Sequence, residues 1–276
     1  MLVEVIRLLE IITHWDKFSA TLQPGEDRIV YIGLLCIAHS LVFFTVNTVN
    51  LLFWIPRWAW LEKFRFQPRR RPDSGLIANC IAYVTLFHLL SLLMAWAAYP
   101  YAVAWNPKLV FGDAPSWKTV LLHFAVSYFL TDLTFYWGHR LLHTKWLYRN
   151  VHKQHHQFYV TIGFASEYAH PVELLLSNIV PAIIGPVLLR SHLLVFAGWI
   201  TLVILGTSWG HSGMAFPFSL STNFHDFHHS HPHSGNFGSL RFWDWLMGTS
   251  KAYNGTKPVE IPRPIAQRRA VAPEQK

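Results

Sequence analysis

The stretch VLLHFAVSYFLTDLTFYWGHRLLH, residues 120–143, sets an apolar run directly against two histidines four positions apart. From Val120 to Trp137 a helix rising about 1.5 Å per residue reaches roughly 27 Å, close to the ~30 Å hydrocarbon thickness of a bilayer. His139 and His143 then share one helix face, one turn apart. A membrane-length segment that ends in metal-ligand side chains sets the expectation for the rest of the chain.

Two more apolar runs precede it, Ile29 to Ile55, closed by Pro56, and Leu76 to Tyr99, closed by Pro100. A fourth block follows, Val172 to Leu189 and Leu193 to Leu205, divided by Arg190, Ser191 and His192. Either half alone is marginal for a span, at about 17 residues, and Pro181, Gly185 and Pro186 favour a broken helix, so a hairpin is expected. Composition agrees: 14% of residues are charged, where about a quarter is usual for soluble domains. The expected fold is an all-α membrane protein, a bundle of about four transmembrane helices with a cytosolic histidine-rich helical metal domain.

The expected segments are an amphipathic N-terminal stretch (1–28), three spans (29–138) with a basic linker (56–75), two histidine clusters (139–171), a transmembrane hairpin (172–210), a third histidine region (211–254) and a flexible tail (255–276). Glu4, Arg7 and Glu10 interrupt the apolar residues Leu2, Ile6 and Leu9, as in an interfacial helix rather than a cleavable signal.

The net charge of +8 is concentrated at Arg69-Arg70-Arg71, between two apolar runs, which suits anionic headgroups and not a nucleic acid. The connection Arg57 to Gly75 carries Arg57, Lys63, Arg65 and the Arg69–Arg71 run and Pro100 to Trp117 only Lys108, so the first faces the cytosol. The third span then returns His139 to that side. Cys36 and Cys80 lie in apolar runs without a CxxC partner, which excludes a disulfide framework or thiolate site.

The histidines form three clusters: His139 with His143, then His152-Lys-Gln-His155-His156, then His225-Asp-Phe-His228-His229. In HxxHH the first position shares a face with the fourth or the fifth, and the extra histidine turns aside towards a neighbouring metal. Scarce carboxylates and the lack of thiolate pairs disfavour calcium, magnesium and iron–sulfur sites. Eight histidines suit two ions, and imidazole takes iron or zinc alike. His211, in a Gly-His-Ser-Gly turn, and His170, before Pro171, are further candidate ligands. His231 and His233, separated by Pro232, read as outer or surface residues. His14, His39, His88, His123 and His192 stand singly among apolar residues and read as core or interface histidines. Asp132, Glu167, Asp226 and Asp244 are candidates for orienting ring N–H groups.

The motifs Asp132-x-x-x-Tyr136-Trp-x-His139-Arg-x-x-His143, His152-Lys-x-His155-His156, Glu167-Tyr-Ala-His170-Pro-x-Glu173, His211-Ser-Gly213, His225-Asp-Phe-His228-His229, Gly235-Asn-Phe and Trp243-Asp-Trp-Leu-Met-Gly-Thr249 resemble the fatty acid hydroxylase/sterol desaturase superfamily. Within it the chain looks most like the C4-methylsterol oxidases, with Phe64-Arg-Phe-Gln-Pro68 similar to their cytosolic linker. Phe224 departs from them, standing where they usually have another histidine. The resemblance implies an endoplasmic reticulum enzyme whose two iron ions, for which zinc could substitute, use O2 to oxidise an unactivated C–H bond of a sterol. It also implies membrane lipid as surroundings and electrons from NAD(P)H through cytochrome b5 or a cytochrome b5 reductase-type partner. No flavin or haem module is recognisable in the chain itself. Cholesterol 25-hydroxylase-like and C5-desaturase-like activities, and a non-catalytic scaffold role, are the alternatives.

Overall fold

The computed structural model describes residues 11, 13–56, 58–67, 70–214, 222–239, 241–254 and 257–260; the expected amphipathic residues 1–10 lie outside them. The helices are α1 (Trp15–Ala20), α2 (Glu26–Trp54, with a π-helical turn at Cys36–Leu41), α3 (Ala59–Glu62), α4 (Ser74–Trp105), α5 (Trp117–Leu142), α6 (Lys145–Asn150), α7 (Pro171–Leu188, with a π turn at Leu174–Ile179), α8 (Leu193–Gly210), α9 (Thr222–Ser230) and α10 (Phe242–Met247). Short 3₁₀ segments cover His152–Gln157 and Gly163–Glu167.

Five of these helices, α2, α4, α5, α7 and α8, are long and apolar enough to cross a membrane. They are the three expected long runs and the expected hairpin, whose two arms are each 18 residues long. A two-stranded antiparallel hairpin, β1 (Lys251–Asn254) with β2 (Lys257–Glu260), pairs Lys251 with Glu260. β2 falls within the segment expected as a flexible tail, whose residues 255, 256 and 261–276 are outside the described part.

The chain divides into two compact units. The first comprises Met1–Val46, Ile81–Thr131 and Ala182–Gly206. Its buried cluster joins Trp15, Tyr31, Tyr99, Leu109, Val110 and Leu193, and Trp15 Nε1 donates to the Val110 carbonyl at 2.7 Å.

Two prolines sit inside helices of this unit, and each shows how the lost hydrogen bond is replaced. Pro100 does not close α4, which runs on to Trp105. Proline has no N–H for the carbonyl four residues back, Trp96. That carbonyl instead accepts from the Arg28 guanidinium, which lies 3.9 Å over the Trp96 ring. In α7, Pro186 likewise releases the Ala182 carbonyl, and Trp199 Nε1 of α8 donates to it at 2.9 Å. Neighbouring donors of this kind are how membrane helices tolerate proline. Between them Gly185 meets α5 closely: a Cβ there would stand 2.4 Å from Ser127 Cα.

The second unit comprises Asn47–Cys80, Asp132–Pro181 and Thr207–Lys276. The end of α2 is tied down by the linker that follows it. The buried Arg65 donates to the carbonyls of Phe53 (3.2 Å), Trp54 (3.4 Å) and Pro56 (3.1 Å), satisfying the orphan acceptors of a helix C-terminus with a cation. Trp54 Nε1 in turn donates to the Ser212 carbonyl at 2.9 Å. Gly163 N–H donates to Asn50 Oδ1 at 3.0 Å, fixing the second 3₁₀ segment to α2.

Candidate metal centre

The last two turns of α5 carry His139 and Arg140, and His143 follows just beyond the helix. The 3₁₀ segment carries His152, His155 and His156, the end of α8 leads into His211, and α9 carries His225, His228 and His229. All nine belong to the second unit. They form two groups whose ligand atoms lie within 4.8 Å of one another: His139, His143, His152, His156 and His228 in the first, His155, His211, His225 and His229 in the second.

The clusters of the sequence are not the groups of the structure. In the second cluster His152 and His156 serve the first group and His155 the second. In the third cluster the assignment inverts: His225 and His229 serve the second group and His228 the first. The two groups are adjacent, with the rings of His156 and His229 centred 4.7 Å apart.

Hydrogen bonds to carbonyls define the protonation of four of the rings. In the first group His139 Nδ1 donates to the Phe237 carbonyl at 2.7 Å and His228 Nδ1 to the Gly235 carbonyl at 2.7 Å. His152 Nδ1 stands 2.8 Å from Glu173 Oε1. In the second group His211 Nδ1 donates to the Thr207 carbonyl at 2.8 Å and His229 Nδ1 to the Phe158 carbonyl at 3.1 Å. A neutral imidazole that spends its proton at Nδ1 has only a lone pair at Nε2.

The Nε2 atoms of each group face one another. His139 Nε2 and His152 Nε2 are 3.1 Å apart, His143 Nε2 lies 2.9 Å from His152 Nε2 and 3.1 Å from His228 Nε2, and His225 Nε2 is 2.8 Å from His211 Nε2 and 3.1 Å from His229 Nε2. His225 Nε2 has at most one proton to offer the two lone pairs of His211 and His229, and His139, whose proton is held at Nδ1, offers none to His152. A cation in each group turns this repulsion into coordination, so the donor set fits a transition metal bound through nitrogen.

Protonating the rings is the alternative, and burial opposes it. Desolvation first, then the charge of neighbouring imidazoles, hold His152, His155, His156, His225 and His229 well below the usual histidine range. His143 and His228 are lowered by the same causes, and burial brings His211 down to about 4. The rings therefore remain neutral, as ligation requires.

The other candidates fall elsewhere. His170 is in neither group: its Nδ1 accepts from the Val172 N–H at 3.2 Å and so caps the start of α7. A ring occupied as a helix cap at a Pro171 start is not presented to a neighbour. His231 stacks on Phe227, ring centres 4.6 Å apart, and the exposed His233 lies 4.9 Å from the Tyr148 ring. In the first unit His88 Nδ1 meets Ser40 Oγ at 2.9 Å and His123 Nδ1 meets Ser191 Oγ at 2.8 Å.

Among the carboxylates, sequence reasoning missed Glu173, which reaches His152 and lies buried three residues after His170. The available signal was the spacing His-Pro-x-Glu itself. Asp226 accepts from Gln67 Nε2 (3.2 Å) and Thr161 Oγ1 (3.3 Å), and burial pushes its carboxyl up to about 6 against those bonds. Gln67 also donates to the Tyr159 carbonyl at 2.9 Å, so the linker motif around Phe64 packs on the loop that anchors His229. Asp132 accepts from Ser239 Oγ at 2.8 Å. Asp244 binds the loop following α9, with burial raising its carboxyl above the usual range.

Comparison with known proteins gives a consistent set. The fatty acid hydroxylase family matches residues 124–249. The chain is 34% identical to methylsterol monooxygenase 2-2 of Arabidopsis thaliana, over 91% of this chain and 93% of that protein. It is 35% identical to a very-long-chain aldehyde decarbonylase, GL1-11, of Oryza sativa subsp. japonica, over 89% of this chain and 94% of that protein. Fatty acid hydroxylase domain-containing protein 2 of Homo sapiens is 30% identical over 90% of this chain and 74% of its own length. No solved structure matches.

Proposed function

The chain belongs to the fatty acid hydroxylase family, and from that premise we propose that it is a membrane oxygenase with two iron ions that oxidises a sterol, at the C4-methyl group. The observation that carries the reading is the pair of buried imidazole groups, five and four rings, with Nε2 atoms converging in each. Iron held there would supply the activation of dioxygen and the oxidation of an unactivated C–H bond. His139, His143, His152, His156 and His228 would hold one ion and His155, His211, His225 and His229 the other. The chain's own contribution is to keep these rings neutral, fix their tautomers through Nδ1, and exclude water by burying them.

Two electrons are needed per turnover, and cytochrome b5 or a cytochrome b5 reductase-type protein fits as donor. The basic linker around Arg70 and Arg71 supports a cytosolic orientation for the centre, and the family resemblance supports residence in the endoplasmic reticulum. The similarity to an aldehyde decarbonylase favours a second reading, in which a long-chain aldehyde is the substrate.

The test is turnover by the full chain in detergent or lipid, supplied with ferrous iron, cytochrome b5, its reductase and NADH, with products identified by mass spectrometry. A 4-methylsterol that gains oxygen, with the activity abolished in His155→Ala, supports the proposal. Oxygen gained by another sterol or lipid overturns the C4-methyl assignment. Conversion of a long-chain aldehyde to a hydrocarbon one carbon shorter establishes the second reading.

A further inference from the structure

The two imidazole groups are anchored in different ways. In the second group His211 donates to Thr207, one turn back in α8, and His229 to Phe158, just after the first 3₁₀ segment. In the first group, two of the five rings depend on a single loop, Gly235 to Gly238: Gly235 supplies the carbonyl for His228 and Phe237 the carbonyl for His139. An irregular loop holds no such position by itself. Something must fix it.

The fully buried Asp244 does so. Its Oδ1 accepts from the Phe237 N–H at 2.9 Å and from Thr249 Oγ1 at 2.7 Å, and its Oδ2 from the Gly238 N–H at 2.6 Å. The carboxylate thus holds both N–H groups that flank the Phe237 carbonyl, while that carbonyl faces His139. Asn236 pins the other end, donating to the Phe224 and Lys251 carbonyls and accepting from the Lys251 N–H at 2.7 Å. Gly235 completes the turn with φ of 122°, where an added Cβ would stand 2.1 Å from the Thr249 carbonyl oxygen.

We infer that Asp244 is a positioning residue for the first histidine group alone, acting through the Phe237 carbonyl on the tautomer and aim of His139. It touches neither a ligand ring of the second group nor the segments that anchor His211 and His229. Asp244→Asn keeps the shape but replaces one acceptor oxygen with an amide that has hydrogens of its own. That NH2 would face either the Gly238 N–H or the donors Phe237 N–H and Thr249 hydroxyl, so the loop loses one side of its clamp. Outer partners of metal ligands typically change metal affinity about 10–100-fold.

The inference rests on the reading of both groups as metal sites, and the experiment separates the two. Purified full-length protein in detergent is stripped with a chelator and titrated with Co(II), following bound metal per chain and the visible absorption of each site. Native protein taking up two equivalents supports the metal reading, and native protein taking up none overturns that reading. Asp244→Asn should retain one equivalent near native affinity and bind the second about 10–100-fold more weakly. Adding His225→Ala to Asp244→Asn should then abolish the remaining tight site, whereas adding His143→Ala should not. Two tight equivalents in Asp244→Asn, or equal weakening of both, would overturn the inference. Should that variant fail to fold, Thr249→Val, which removes one donor to Asp244 without changing shape, decides it. Selective weakening of one site is expected there, and none or equal weakening sinks the idea.

Discussion

Glu173 shows how much a single residue's role depends on a partner distant in the sequence. In the sequence it is the last letter of His-Pro-x-Glu, with nothing to separate it from a helix-start acid. In the structure it meets His152 at 2.8 Å, a histidine 21 positions earlier. A carboxylate so placed, once it accepts from Nδ1–H in the metal-bound site, would make the opposite nitrogen a better donor to metal. Glu173→Gln keeps the hydrogen bond acceptor and removes the charge, so the first group should bind Co(II) about tenfold more weakly and the second unchanged. Isothermal titration of the stripped protein measures both, and identical isotherms for native and variant would refute the role. His170 is the converse case. It was legible as a histidine near the clusters, and its use as a cap became visible only once Val172 N–H was placed beside it.

At the level of elements, the apolar runs were readable because span length is set by bilayer thickness, a quantity that hydropathy records directly. The end of α4 was not. A proline stops a helix unless another group takes over the released carbonyl, and Arg28, which does so for Trp96, lies 72 residues before Pro100. Trp199 plays the same part for Ala182 beside Pro186, and there the indole is buried and the carbonyl half-buried. That arrangement predicts a specific coupling. Trp199→Phe leaves the Ala182 carbonyl without its donor and should destabilise the protein by about 1–3 kcal/mol. In a Pro186→Ala background the new N–H reclaims that carbonyl, so the same Trp199→Phe change should be nearly neutral apart from lost ring contact. A double-mutant cycle on thermal unfolding in detergent measures the difference, and additive effects would show that the indole is not the replacement donor.

For the molecule as a whole, the presence of a histidine centre was plain from the three clusters, but its division into five and four was not. Each HxxHH splits its rings between both groups, in opposite senses, and that depends on how a 3₁₀ segment and α9 face each other. Gathering nine rings in one dry place has a consequence for stability. Eight of them, His143, His152, His155, His156, His211, His225, His228 and His229, are held below the usual histidine range in the folded chain, chiefly by burial. In the unfolded chain each titrates near pH 6.5. Below that pH the unfolded state binds more protons than the folded one, so stability falls as pH falls, by up to about 1.4 kcal/mol per pH unit for each ring involved. Above pH 7.5 both states are neutral at these positions and the dependence vanishes. The metal-free protein should therefore show a thermal midpoint that is flat between pH 7.5 and 8.5 and drops steeply between 6.5 and 5.5. Bound metal should raise the midpoint across that range, because it binds the folded arrangement of neutral rings. Replacing His156 and His229 with Gln should shallow the acid limb of the metal-free curve. A midpoint independent of pH from 5.5 to 8.5 in the stripped protein would mean that these rings are not held neutral by the fold, and the case for a preformed metal centre would fall with it.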